Sequence, residues 1–91
     1  MEYGAIDLHL RRSQIRIIDE AEQVVLDRRV DTTREALSEV FGGRARLRLL
    51  LESSTESEWV AQHLEGLGHE VLVADPNYPV SYTHLTLPTK A

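Results

Sequence analysis

The segment YGAIDLHLRRSQIRIIDEAEQVV, residues 3–25, decides the fold, because it begins a series of three short strand-like runs separated by polar turns. The second run, SQIRIID, alternates polar and apolar side chains and places Ile15 and Ile17 on one face. The third run, EQVVLDRRV, has three aliphatic residues expected on one face: Val24, Leu26 and Val30. The links LRR and EAE are short enough for hairpins, so this part of the chain predicts three antiparallel strands.

Helical and strand patterns alternate after these three runs. Thr32 with Glu35, and later Thr55 with Glu58, form capping-box patterns that each predict the start of a helix. Between the helices, RARLRLLLE becomes continuously apolar, as expected of a strand covered on both faces, and HEVLVADP predicts a fifth strand. The order βββαβαβ predicts an α/β fold with a mixed sheet and helices packed on it.

Composition limits the kind of protein this chain can be. The chain has 91 residues, a formal net charge of −5 and no cysteine, which excludes disulfides and thiolate metal sites. The acidic balance argues against a dedicated non-specific nucleic-acid binder, but it is compatible with an enzyme that holds metal ions through carboxylates. We find no signal-peptide pattern and no membrane-spanning run, so we expect a cytoplasmic protein with no membrane partner.

The chain divides into a domain over residues 1–78 and a tail over residues 79–91. The tail, PVSYTHLTLPTKA, contains no acid, holds the only lysine of the chain and continues no periodic pattern. It resembles read-through of a sequencing adapter, so we exclude it from functional reasoning; a natural disordered terminus is the alternative.

Two acids follow apolar runs that the predicted topology places side by side. Asp7 lies in the first strand and Glu52 directly follows RLLL in the fourth, and these two strands are expected to be parallel neighbours. Converging carboxylates repel each other, so a fold that joins them usually adds a proton or a divalent cation, and hard oxygen ligands suit Mg²⁺ or Mn²⁺. From spacing alone the structural alternative is favoured: Asp7 as a hairpin-edge acid, and Glu52 at the positive end of the next helix.

Other residues capable of chemistry are weaker candidates. Asp75 ends the fifth predicted strand, but DPNY is a turn signal. The histidines stand singly and form no metal cluster, and Trp59 is expected in the core. The arginines fall in small groups that are either solvated faces paired with acids or phosphate contacts, and the paired alternative is favoured: Arg11 and Arg12; Arg28, Arg29 and Arg34; Arg44, Arg46 and Arg48.

Taken together, AIDLH and LLLESSTESEWVAQHLEGLGHEVLVADPNY resemble the N-terminal domain of DEDD-type insertion-sequence transposases of the Piv/RuvC-like family. The resemblance covers about residues 3 to 78. It implies an RNase H-like fold, DNA cleavage and strand transfer, and a four-acid Mg²⁺ site of which Asp7 and Glu52 are the first two members. The family's later pair of acids, in a KTDxxDA-like motif, is absent, so the resemblance implies an incomplete domain that is inactive alone.

The resemblance also implies partners. These are the insertion-sequence ends and target DNA, and the parent protein is expected to be a homo-oligomer; a guide or accessory nucleic acid is left open. Two alternatives remain. One is an actin-like sugar kinase or ATPase, although Leu8, His9 and Leu10 follow Asp7 where a phosphate loop needs small residues. The other is a non-catalytic domain that binds a protein partner.

Overall fold

The computed structural model describes residues 1–74 and the backbone of residues 79–81. It contains six strands and two helices in these residues, with the bounds β1 (Glu2–Asp7), β2 (Arg12–Ile18), β3 (Val24–Asp31), α1 (Arg34–Phe41), β4 (Leu47–Glu52), α2 (Ser57–Gly66), β5 (Glu70–Ala74) and β6 (Pro79–Ser81). The predicted order βββαβαβ is therefore present, followed by the additional strand β6. The prediction of an α/β fold with a mixed sheet is confirmed.

The strands form one sheet in the order β3-β2-β1-β4-β5-β6. β1, β2 and β3 pair antiparallel, whereas β1, β4 and β5 pair parallel, and β6 returns antiparallel along β5. The sequence predicted that the first and fourth strands would be parallel neighbours, and the pairing of β1 with β4 confirms it. The first residues of the predicted tail form β6, which the sequence did not predict.

Both helices lie on one face of the sheet, which we call the helix face. Aliphatic side chains alternate along the strands on this face and are almost completely buried: Ile6, Ile15, Ile17, Leu49, Leu51, Val71 and Val73. They form one core with buried apolar residues of α1 and α2: Leu37, Phe41, Val60 and Leu64. This burial is the main source of stability, at about 1.5–3 kcal/mol for each large aliphatic side chain.

The opposite face, which we call the open face, is not covered by any described residue. Leu50 of β4 is 43% exposed and Leu72 of β5 is 40% exposed, although both lie in the middle of their strands. The prediction that β4 is covered on both faces is therefore wrong. A continuous apolar run indicates a buried strand, but it does not show whether the covering element is present.

A buried histidine joins the helix layer to the sheet. His69 is 3% exposed, its Nδ1 accepts a hydrogen bond of 3.0 Å from the Leu47 backbone N–H, and its Nε2 lies 2.8 Å from the Phe41 carbonyl oxygen. Because Nδ1 must accept, Nε2 carries the proton and donates to Phe41. His69 therefore fixes the end of α1 against the start of β4.

Both predicted helix caps differ in the structure. The N-cap of α1 is Thr33, whose hydroxyl accepts from the Ala36 backbone N–H at 3.1 Å, and not Thr32. α2 begins at Ser57 without a side-chain cap hydrogen bond, so the predicted box of Thr55 and Glu58 does not form. Adjacent threonines offer two equally good local caps, and tertiary contacts decide between them.

Candidate functional site

Asp7 and Glu52 occupy equivalent positions at the carboxyl ends of two neighbouring parallel strands. The register of β1 and β4 pairs Ile6 with Leu51, and the next residue on each strand is Asp7 and Glu52. Ile6 and Leu51 are buried on the helix face, so the alternation of the strands directs both acids to the opposite side of the sheet. Neighbouring strands lie about 4.8 Å apart, so the two acids lie side by side at one edge of the sheet.

Both carboxylates are accessible to solvent. The Asp7 side chain is 63% exposed, and the His9 Nε2 lies 3.4 Å from its Oδ1. Glu52 is exposed and has no side-chain hydrogen bond within residues 1–74. In the described residues, a ligand of Asp7 has to displace only the exposed His9 contact, and a ligand of Glu52 breaks no side-chain hydrogen bond.

The chemical type of the available ligands suits magnesium, but residues 1–74 supply too few of them. Mg²⁺ prefers carboxylate oxygens and water, which the two acids and the open solvent supply. Residues 1–74 contain no group of three or more histidines, cysteines or acids that could hold a metal ion. Asp75 was a candidate from the sequence for a third ligand or a turn residue, and it lies outside the described residues.

The other two histidines of the described residues, His63 and His69, have structural contacts. His63 Nε2 lies 2.9 Å from the Ser38 hydroxyl and links α2 to α1, and both ring nitrogens of His69 are used within the core. Trp59, expected in the core, is half-buried at its edge, where its indole N–H donates to Glu56 and its ring lies 4.8 Å from the Arg34 guanidinium carbon. Of the three histidines in the described residues, His9 is the one that contacts a candidate site residue.

A cleft of about 420 Å³ opens beside Asp7. We call it the arginine cleft, and six residues line it: Asp7, His9, Arg11, Arg12, Gln14 and Arg29. The sequence placed these arginines in two separate groups. The pairing of β2 with β3, which sets Arg29 opposite Gln14, brings the groups together.

The arginines of the chain differ in whether an acid neutralises them. Arg48 binds Glu70 at 3.1 Å and Arg44 lies 3.6 Å from Glu2, which confirms the paired alternative for these two. Arg16, which belonged to none of the predicted groups, binds Asp27 at 3.0 Å. In the arginine cleft, Arg12 has one long contact of 3.7 Å with Asp31. Arg11 and Arg29 have no ion pair with any residue in the described part of the chain.

Two buried hydroxyls hold the β1–β2 turn, which forms one wall of this cleft. Ser13 is completely buried and its hydroxyl lies 2.7 Å from that of Thr32, which in turn donates to the His9 carbonyl oxygen at 2.7 Å. The Thr32 backbone N–H donates to the Arg11 carbonyl oxygen at 2.8 Å. Thr32 was predicted as a helix cap; its actual contact is made 23 residues away, and no local pattern reveals it.

Comparison with known proteins shows no family for this chain. No protein-family model and no curated protein matches the chain. A solved structure described as a structural study of the Aquifex aeolicus PPX-GPPA enzyme aligns with a TM-score of 0.40 and 16% sequence identity, over 84% of this chain and 36% of that one. We draw no functional conclusion from that likeness. None of the helices in the described residues is long and apolar enough to span a membrane.

Proposed function

We propose that this chain is the N-terminal part of an RNase H-like nuclease domain from a DEDD-type insertion-sequence transposase. The observation that carries the proposal is the pairing of two acids at the ends of neighbouring parallel strands, Asp7 after β1 and Glu52 after β4. The sheet order β3-β2-β1-β4-β5, with an antiparallel half and a parallel half, supports the RNase H-like assignment. Ligands of open α/β sheets bind outside the carboxyl ends of the strands, where these acids lie.

Asp7 and Glu52 are the residues that would hold Mg²⁺ or Mn²⁺. When bound, such an ion polarises a phosphodiester and activates the attacking oxygen. The two carboxylates supply negative charge and orientation from strands whose positions are fixed by the buried helix face. Their exposure leaves room for a DNA strand to approach. Two acids are half of the set that this chemistry needs, so the remaining ligands have to come from outside the described residues.

The proposal includes the partners of the whole transposase. These are the ends of the insertion sequence, the target DNA and further copies of the protein, with a guide or accessory nucleic acid left open. The present chain is expected to lack strand-transfer activity on its own, because a two-metal phosphodiester site needs more ligands than two carboxylates.

The test uses the whole transposase that this proposal implies and measures its nicking of DNA in Mg²⁺. We expect metal-dependent nicking that falls by about 100-fold or more in Asp7→Asn and in Glu52→Gln, the size of loss typical when a group acting on the transition state is removed. Glu58→Gln, which neutralises an exposed acid on α2, is the matched control and should leave the activity unchanged.

Two results would overturn the proposal. Full activity in Glu52→Gln would show that this acid does not hold the metal. Magnesium-dependent nicking by the present chain alone, abolished in Asp7→Ala, would show that the site is already complete. If ATP raised the melting temperature of the chain and no DNA cleavage were detected, the actin-like alternative would be favoured.

A further inference from the structure

We propose that the arginine cleft binds the backbone phosphates of a nucleic-acid strand and holds that strand beside Asp7. The cleft and the candidate metal site share Asp7, so a phosphate in the cleft lies next to the carboxylate that would hold the ion. The inference rests on the proposed function only for naming DNA as the natural ligand. The binding itself follows from charge and geometry in the described residues.

Local charge in the cleft opposes the charge of the whole chain. The chain carries a formal net charge of −5, whereas the cleft lining contains three arginines and one carboxylate. Elsewhere, Arg16, Arg44 and Arg48 are each matched with an acid. Arg11 and Arg29 have no acidic partner in the described residues, and a planar guanidinium with several fixed donors suits the oxygens of a phosphate.

The cleft is organised before any ligand binds. The contacts of the Thr32 hydroxyl and backbone N–H with His9 and Arg11 tie the β1–β2 turn to the end of β3. Gln14 lies between Asp7 and Arg29 in the sheet register, and its side chain is held by Asp27 at 2.6 Å. Less backbone ordering is therefore needed on binding, which favours affinity at a site made of long side chains.

Arg29 and Arg28 provide an internal comparison. Arg29 pairs with Gln14 and faces the cleft, whereas Arg28 pairs with the buried Ile15 and therefore lies on the helix-face side of β3. Both arginines are exposed, and neither has an ion-pair partner in the described residues. They differ in position and not in charge, so substituting each of them separates a cleft contact from a general loss of positive charge.

The experiment measures binding of a fluorescently labelled single-stranded DNA oligonucleotide to this chain by anisotropy, in EDTA and at about 50 mM salt, where phosphate contacts are strong. The double variant Arg11→Gln, Arg29→Gln is expected to weaken binding by roughly tenfold or more. It should also reduce the slope of log K against log salt by about 0.7 for each phosphate contact removed. The control Arg28→Gln, Arg46→Gln removes the same charge outside the cleft and should have a smaller effect on both quantities.

A substitution of the shared acid sharpens the test. Without divalent ions, Asp7 repels a phosphate in the cleft, so Asp7→Asn should tighten DNA binding in EDTA. Equal weakening by the two double variants, or no DNA binding by the unaltered chain at low salt, would overturn the proposal. Inorganic phosphate serves as the competitor. If it displaces the DNA at a concentration equal to that of the phosphate groups in the oligonucleotide, the cleft is a site for free anions and not for a nucleic-acid strand.

Failure of this inference can be distinguished from failure of the proposed function, because the DNA measurement contains no metal. DNA binding through Arg11 and Arg29 with no metal binding at Asp7 and Glu52 would support the cleft and contradict the metal site. Metal binding at the two acids with no role for the arginines would contradict the cleft alone.

Discussion

The two faces of the sheet use the same strands and are covered very differently. On β4, Leu49 and Leu51 of the helix face are 1% and 0% exposed, whereas Leu50 between them is 43% exposed. The helix face holds the aliphatic core, while the open face has apolar residues in its middle and Asp7 and Glu52 along its edge. The stability of the described fold therefore depends on one face, and the chemistry that we propose belongs to the edge of the other.

Truncating neighbouring leucines on β4 gives the largest expected effect. Leu49→Ala should lower the free energy of unfolding by about 2–5 kcal/mol, because it removes buried methyl groups and leaves a cavity under the helices. Leu50→Ala on the open face is the matched control and should cost less than about 1 kcal/mol. Urea denaturation measures both, and an equal loss in the two variants would contradict the description of the open face.

Removing the buried histidine is expected to have the next largest effect. His69→Leu leaves the Leu47 N–H and the Phe41 carbonyl without their partner inside the core, at a cost of about 2–3 kcal/mol. His63→Gln, at a half-buried position with one hydrogen bond to Ser38, serves as the comparison and should cost about 1 kcal/mol or less. A His69→Leu protein as stable in urea as the unaltered chain would show that His69 does not join the layers.

A smaller loss is expected at the hydroxyl pair behind the arginine cleft. Thr32→Val keeps the shape of the side chain but removes the donor to the His9 carbonyl and the partner of Ser13, at a cost of about 1–2 kcal/mol. Thr55→Val changes an exposed hydroxyl and should leave the unfolding free energy unchanged within about 0.5 kcal/mol. Equal unfolding free energies of the two variants would contradict the claim that these hydroxyls preorganise the cleft.

The ion pair of Arg16 and Asp27 on the open face should give the smallest effect, and it depends on pH. The hydrogen bond from Arg16 lowers the pKa of the Asp27 carboxyl below its ordinary value of 3.8; the Gln14 hydrogen bond and the Arg16 charge add to this, and desolvation opposes it. A lowered folded-state pKa stabilises the fold above the ordinary pKa, and this contribution disappears as pH falls through the folded value.

Asp27→Asn should therefore reduce the fall in melting temperature between neutral and acidic pH by a small amount. Asp31→Asn, which changes the acid of the longer 3.7 Å contact with Arg12, is the control. An identical pH dependence in Asp27→Asn and in the unaltered chain would show that the hydrogen bonds to Asp27 add nothing to stability.

Much of the fold could be predicted from the sequence because its signals are local. The alternation of apolar side chains located β1, β2 and β3, and the helical stripe of Leu37, Val40 and Phe41 located α1. The prediction that Val24 shares a face with Leu26 and Val30 was wrong. The register shift between Ile17 and Ile18 pairs Val24 with Ile18, which places Val24 on the opposite face. A bulge of this kind has no signature in the alternation itself.

The candidate site was predictable only in part. The positions of Asp7 and Glu52 followed from strand order, and β1 and β4 are parallel neighbours as expected. The roles of these acids as metal ligands and the RNase H-like assignment stay predictions. The arginine cleft was not predictable, because which arginines lack an acidic partner depends on the pairing of β2 with β3 and on contacts between distant residues.

The most direct measurement of the central claim is paramagnetic line broadening by Mn²⁺ in the NMR spectrum of this chain. We predict that the backbone amide signals of Asp7 and Glu52 broaden together at the same Mn²⁺ concentration. Asp7→Asn should weaken the effect at both residues, because one ion contacts both carboxylates, and Glu58→Gln should leave it unchanged. Persistent broadening in Asp7→Asn, or loss of broadening in Asp7→Asn but not in Glu52→Gln, would contradict a shared metal site.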